Sequence, residues 1–357
     1  MYQTGDKFKV TVFGQSHSQE IGAIIEGLPA GMKPDIEKLN AFMERRAPGR
    51  DRFSTQRKEA DTPEFVSGLV DGVTCGAPIT AVIKNKDQKS SDYENLKLVP
   101  RPGHADYTAY MKYDGNNDIR GGGQFSGRMT APLCIAGALA MQVLEEKGIY
   151  IGAHIDSIYN VKDDRFTPTS IKKELLNDIK AKDFPVLNDF AKVKMEAEID
   201  RARENLDSVG GVIECAVIGL PVGIGGPLFE GIEGEISRNI FAVPAVRGIE
   251  FGAGFSSTQM YGSQNNDPFY IDGETVKTKT NNAGGILGGI SNGMPVIFRV
   301  AMKPTPSIGK EQESVNLKTK TPEKLVVKGR HDPCIVKRAV PVIEAVAAIT
   351  ILNMLEN

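Results

Sequence analysis

The sequence is short of several things, and each shortage excludes a class of protein. It has four cysteines in 357 residues, Cys75, Cys134, Cys215 and Cys334, with no C-x-x-C pair among them. Such spacing suits neither a disulfide framework nor a zinc knuckle, and it fits a reducing cytoplasm. The net charge is only −2, so there is no general excess of cations to bind nucleic acid or an anionic membrane. The first residues, MYQTGDKFKVTVFGQSH, hold scattered charges and no apolar core of the kind a signal peptide needs. The longest apolar run, AVPVIEAVAAITILNML, is broken by Glu344 and is too short to span a bilayer. It reads as a buried helix. Histidines number four, without H-x-x-x-H or a His–carboxylate spacing of the usual metal-binding kind, so no metal site is expected. Repeats of 20–50 residues and low-complexity linkers are also missing. We therefore expect a single domain over 1–357.

Strand and helix patterns alternate along the chain. KFKVTVFG (7–14), GAIIEGL (22–28), IYIGAHIDSIYNV (149–161), VGGVIECAVIGLP (209–221) and IFRVAMKP (297–304) read as strands, and 65–85 reads as two strands around a glycine-rich turn. Helical spacing predicts helices over 35–46, 130–148 and 232–243. Residues 160–208 are polar and rich in Lys, Asp and Glu, so we expect a peripheral insertion there. Many strands adjoin one another directly, which favours an α+β fold over a regular βαβ series.

Four kinds of motif stand out. RGGGQFSGR (120–128) keeps its backbone bare between two arginines and runs into a helix start, where anions bind. It is neither a P-loop, since Met129 follows Arg128, nor a dinucleotide fingerprint. RRAPGRDRFSTQRK (45–58) concentrates arginines in a loop-like stretch. Guanidinium forks match carboxylates and phosphates bidentately, although a solvated surface loop or an RNA-binding arm would look the same. His17, His104 and His331 sit in the turn-like contexts GQSHSQ, RPGHADY and GRHDPC, suited to acid–base work, whereas His154 lies in a strand and reads as structural. NNAGGILGGISNG (281–293) and KPTPSIG (303–309) allow close backbone approach, either to a flat ring or at a turn.

These segments occur in order as GQSH, RRAPGR, RPGHADYT, RGGGxxSGR, AGGILGGIS, KPTPSI and GRHDPC. In that order they closely resemble the chorismate synthase family, from about residue 5 to about 350. The resemblance implies a β-α-β sandwich, usually a cytoplasmic homotetramer. It implies a lyase of the shikimate pathway, leading to the aromatic amino acids. That enzyme converts 5-enolpyruvylshikimate 3-phosphate to chorismate by anti-1,4-elimination of phosphate, using reduced FMN without net redox change. By the same resemblance Arg46, Arg52, Arg101, Arg128 and Arg330 bind the substrate. His17 donates a proton to the leaving phosphate, His104 faces the flavin, and Asp332 acts, directly or through the flavin, in removing the C6 proton. FMN contacts correspond to Gln124, Phe125, Ser126, Pro244, Ala245, Gly288, Lys303, Pro304, Thr305, Pro306, Ser307 and Arg330. Gln124 and Phe125 stand where many members have Arg-Ser, which removes one positive charge. Arg46 and Arg52 also match positions assigned to NADPH, so self-reduction of the flavin and an external flavin reductase both stay open. A P-loop phosphotransferase and an RNA-binding protein are disfavoured by the missing Lys-Ser/Thr and the balanced charge. A flavin-binding protein without catalysis is not separated from the enzyme by sequence.

Overall fold

The computed structural model describes residues 2–49, 61–85, 96–327 and 332–356. Two five-stranded antiparallel sheets enclose a double layer of helices. The first sheet runs, in spatial order, Gln3–Thr4, Lys9–Gly14, Glu20–Glu26, Ile79–Lys84 and Glu64–Ser67. The second runs Val246–Phe251, Val296–Met302, Gly211–Ile218, Tyr150–Ile158 and Val161–Lys162. The helix Thr130–Glu146 packs on the first sheet, the helix Val336–Leu355 packs on the second, and the two helices pack on each other. The result is the α+β, β-α-β sandwich expected.

Composition explains why these two helices lie inside. Both are apolar around their whole circumference, and such a helix must be covered on every side. The C-terminal run is longer as a helix than expected: both helices are long and apolar enough, by length and composition, to cross a membrane, yet 89% and 83% of the relevant windows are buried within the protein. Their crossing is close. A Cβ on Gly137 would lie 2.3 Å from the Cβ of Ala345, so only glycine permits this approach. Glu344, fully buried in the second helix, accepts from Arg45 and from the backbone N–H of Ala153 at 2.9 Å. The one charge in the apolar run thus ties the central helix to the helix Ile36–Arg46 and to the second sheet.

Residues 160–208 differ from the peripheral insertion expected of them. Their helices Lys173–Ala181 and Asp189–Glu204 each send an apolar stripe inward. Phe184, Val186, Met195 and Ile199 join the main core, while Leu176 and Ile179 form a satellite cluster with Phe166. The high charge of the exposed faces masks these stripes in composition. Polar anchors complete the attachment. His154, fully buried, faces Asp163 at 3.1 Å through Nδ1 and Glu214 at 3.0 Å through Nε2. Asp163 also accepts from the N–H groups of Leu187 and Asn188, and Glu214 from that of Phe166.

Burial alone would lower the pKa of His154, but its hydrogen bonds to Asp163 and then to Glu214 overcome it and push it up to about 8. A raised folded-state value stabilises the protein below the unfolded-state value and is lost as pH rises through the folded one. We therefore expect unfolding free energy to fall by about 2 kcal/mol between roughly pH 6 and 9 from this group. Urea denaturation across that range should show the loss, and His154→Gln should flatten it. An equally steep decline in the variant would assign it elsewhere.

Candidate active site

One cavity of about 560 Å³ opens where the first sheet, the start of Thr130–Glu146, the 241–247 segment and the start of the C-terminal helix meet. His17, Arg46, Arg101, His104, Arg128 and Asp332 all line it. They come from five separate stretches of chain. Phe125, Val243, Pro244, Ala245 and Pro306 add apolar surface to its lining. Gln124, Ser126, Lys303, Thr305 and Ser307 also line the cavity.

Two of the expected contacts lie elsewhere. Pro304 is exposed and does not line the cavity, unlike its neighbours on both sides. Gly288 is exposed at the turn of the hairpin Ile286–Leu287 and Ile290–Ser291. Gly288 and Gly289 have φ of 62° and 85°, which a two-residue hairpin of this kind requires. The paired glycines of AGGILGGIS thus serve a turn within this chain. Arg52 and Arg330 lie outside the described residues.

The arginines are not free cations. Arg46 and Arg128 are both nearly inaccessible, and both donate to Asp61, one to each carboxylate oxygen. Arg46 also donates to Thr130 Oγ1 at 3.2 Å and to the Gly127 carbonyl at 3.0 Å. Arg128 donates through Nε to Asn85 Oδ1 at 3.0 Å. Burial would raise the pKa of Asp61, but Arg46 and then Arg128 pull it below the usual carboxylate range. One carboxylate between two guanidiniums leaves the trio with net positive charge. Arg101 is held likewise, with its backbone N–H and its Nε, Nη2 donors on Asp106 and its Nη1 on Ser307 Oγ at 3.0 Å. Arg338, which sequence reasoning missed, donates to Asp332 and to the Arg46 carbonyl at 3.1 Å. Asp61 and Asp106 were missed too. Their signal was an acid within an arginine-rich segment, in EAD and RPGHAD.

The bare backbone of RGGGQFSGR, which reaches the cavity at Gly121, also makes room within the protein. Gly121, Gly122 and Gly123 all have positive φ, at 59°, 86° and 54°. A Cβ on Gly121 would lie 2.5 Å from Ser16 Oγ and 2.7 Å from His17 Nε2, and one on Gly122 would lie 3.1 Å from His104 Nε2. The missing side chains make room for the two histidines. The loop then turns into the helix through Ser126, whose hydroxyl accepts from the N–H of Arg128 at 3.2 Å. Cys334, beside Asp332, is no nucleophile here, since burial pushes its thiol up to about 12.

The family model for chorismate synthase matches residues 8–355. The chain belongs to the chorismate synthase family. It is 44% identical over 350 residues to the chorismate synthase of Korarchaeum cryptofilum, covering 98% of this chain and 96% of that one. The chorismate synthase of Methanocaldococcus jannaschii is 44% identical over 363 residues, with 98% and 95% covered. Among solved structures, a crystal structure of chorismate synthase superposes with a TM-score of 0.76 at 26% identity, over 99% of this chain and 92% of that chain. As a member of the chorismate synthase family the chain is an enzyme, a carbon–oxygen lyase.

Gly121→Ala should destabilise the fold by about 1–2 kcal/mol from its backbone alone, with further cost from the contacts to Ser16 and His17. Gly127→Ala meets no atom within 4 Å and should change stability by less than about 0.5 kcal/mol. Denaturation midpoints of the two variants, measured together, check the assignment; equal midpoints would refute it.

Proposed function

We propose that this cavity carries out the anti-1,4-elimination of phosphate from 5-enolpyruvylshikimate 3-phosphate, giving chorismate, with reduced FMN bound alongside. The observation that supports this most is the convergence of three buried, oriented arginines and two histidines in one cavity that also has apolar lining. A substrate with two carboxylates and a phosphate ester needs several guanidiniums in one cleft. The donor set also fits a reduced flavin: apolar residues for a flat ring beside cations that balance its negative charge. Pro244, Ala245, Phe125, Lys303, Thr305, Pro306 and Ser307 would hold it, and when bound it would supply electron density as the phosphate leaves.

The chain's own residues divide the remaining work. Arg46, Arg101 and Arg128 hold the carboxylates and the phosphate in place, already aimed by Asp61 and Asp106. His17 gives a proton to the departing phosphate oxygen, which is a poor leaving group without one. Asp332, steadied by Arg338, takes the proton lost from C6. His104 holds a proton at the cofactor side of the cavity. Acid–base assistance of this type contributes roughly 10²–10⁴-fold each. Gln124 and Phe125 in place of Arg-Ser weaken the charge available to the flavin, so its affinity is lower than in members with that arginine.

The setting is the cytoplasmic shikimate pathway, with the whole chain acting as one domain. A homotetramer would cover apolar side chains that the single chain leaves outside, among them Leu228, Phe229, Phe255 and Tyr261. Reduction of the flavin comes either from NADPH at Arg46 and its neighbours or from an external reductase.

Anaerobic phosphate release from 5-enolpyruvylshikimate 3-phosphate tests the reading directly. Release with chemically reduced FMN alone is expected of an enzyme served by an outside reductase; release with oxidised FMN plus NADPH as well adds self-reduction. A folded, FMN-binding protein that releases phosphate in neither case refutes the proposal. Asp332→Asn should retain FMN and substrate binding and lose turnover by roughly 10²-fold or more. Unchanged turnover would remove Asp332 from the reaction.

A further inference from the structure

His104 and Asp106 sit two residues apart at the start of a short helix, Asp106–Lys112. His104 Nδ1 is 2.5 Å from Asp106 Oδ1, and the carboxylate is almost fully buried. The same oxygen accepts from Arg101 Nη2 at 2.8 Å. That guanidinium nitrogen is also 3.0 Å from His104 Nδ1. Two arrangements of hydrogen atoms are conceivable. In one, Nδ1 is bare and accepts from Arg101. Its lone pair would then face a carboxylate oxygen 2.5 Å away with no proton between them, which is repulsive. In the other, Nδ1 carries the hydrogen, and it and Arg101 both donate to Asp106. The short contact between the two nitrogens then reflects two donors converging on one acceptor. Arginine has no acceptor and cannot be deprotonated in a protein, so only the second arrangement satisfies every group.

We propose that Asp106 is the positioning residue that holds His104 in the Nδ1–H form, leaving Nε2 as the atom that exchanges protons inside the cavity. Nε2 is the ring nitrogen turned to the bare backbone of Gly122, where a Cβ would reach within 3.1 Å, and it also lies 3.3 Å from Arg101 Nη2, which can donate to its lone pair in the Nδ1–H form. Gly122 and Asp106 thus grip the ring from opposite edges. The charged groups around it are Arg101 and Asp106 on its own segment and Lys303, whose Nζ donates to the Gly103 carbonyl. Further along the cavity wall are Arg128 and Asp332. Asp106 stays ionised through the working pH range, because Arg101 and then His104 overcome the effect of burial and hold it well below the usual carboxylate range. It can therefore orient the ring and does not take its proton. The logic is that of a buried aspartate behind a catalytic histidine, where replacement by asparagine keeps the geometry and installs the wrong tautomer.

The inference builds on the role given to His104 above, but its test reads the ring itself. The full chain is labelled with ¹⁵N-histidine, and long-range ¹H–¹⁵N spectra are recorded with and without added FMN, at about pH 9 where an ordinary imidazole is neutral. With four histidines in the chain, His104→Gln identifies the signal. The expected wild-type spectrum shows a protonated Nδ1 and a bare Nε2. A wild-type Nε2–H form overturns the proposal without any need for a variant. In Asp106→Asn, provided it folds, the ring should revert to Nε2–H and turnover should fall by roughly 10²-fold or more. A variant that keeps the wild-type tautomer overturns it equally. The spectrum does not depend on turnover. The expected tautomer in a protein that releases no phosphate would count against the proposed reaction alone.

Discussion

Arg46 and Arg128 can lie buried side by side only because Asp61 stands between them. Two unpaired guanidiniums at that depth would repel each other and lose their water; removing one partner from a buried pair of this kind typically costs about 3–5 kcal/mol. The carboxylate answers both needs, with one oxygen for each arginine. It also joins parts of the chain distant in sequence: the end of the helix Ile36–Arg46, the entry to Thr130–Glu146, and the segment that leads into the strand Glu64–Ser67. Asp61 takes a left-handed backbone, φ 51°, to get there, a conformation aspartate tolerates better than most residues. The floor of the cavity and the packing of the first sheet against the helices therefore share one ionic junction.

The same device recurs around the cavity. Asp106 stands behind Arg101 and His104, and Arg338 stands beside Asp332. A site for a polyanion has a difficulty in its empty state, since clustered cations oppose folding. Pairing them with carboxylates limits this repulsion. It also fixes each fork before a substrate arrives, so less conformational freedom is lost on binding. The cost is a weaker net positive potential. Orientation rather than raw charge is what this cavity supplies.

Much of the architecture was legible in the chain. Alternation in KFKVTVFG and the all-round apolar character of 130–146 and 336–355 translate directly into a strand paired on both sides and two enclosed helices. The segment 160–208 was misjudged because its apolar residues are spread at helical spacing through a highly charged stretch. Composition averages over faces, whereas burial depends on one face at a time. The glycines of 121–123 were recognised as unusual, but what they accommodate was not, since Ser16, His17 and His104 come from elsewhere in the chain. Asp61 and Asp106 escaped notice for a related reason. An aspartate near arginines reads as surface charge until the fold shows it to be enclosed.

By itself the sequence determined the elements, the family and the kinds of side chain available for chemistry, because periodicity, glycine and proline act locally and motifs carry their residues in order. Only the tertiary structure decided which of those side chains meet, which glycines make room for the histidines, and which arginines already have a partner. Those outcomes depend on distances between residues far apart in the chain, and these exist only once the two central helices have closed on each other between the sheets.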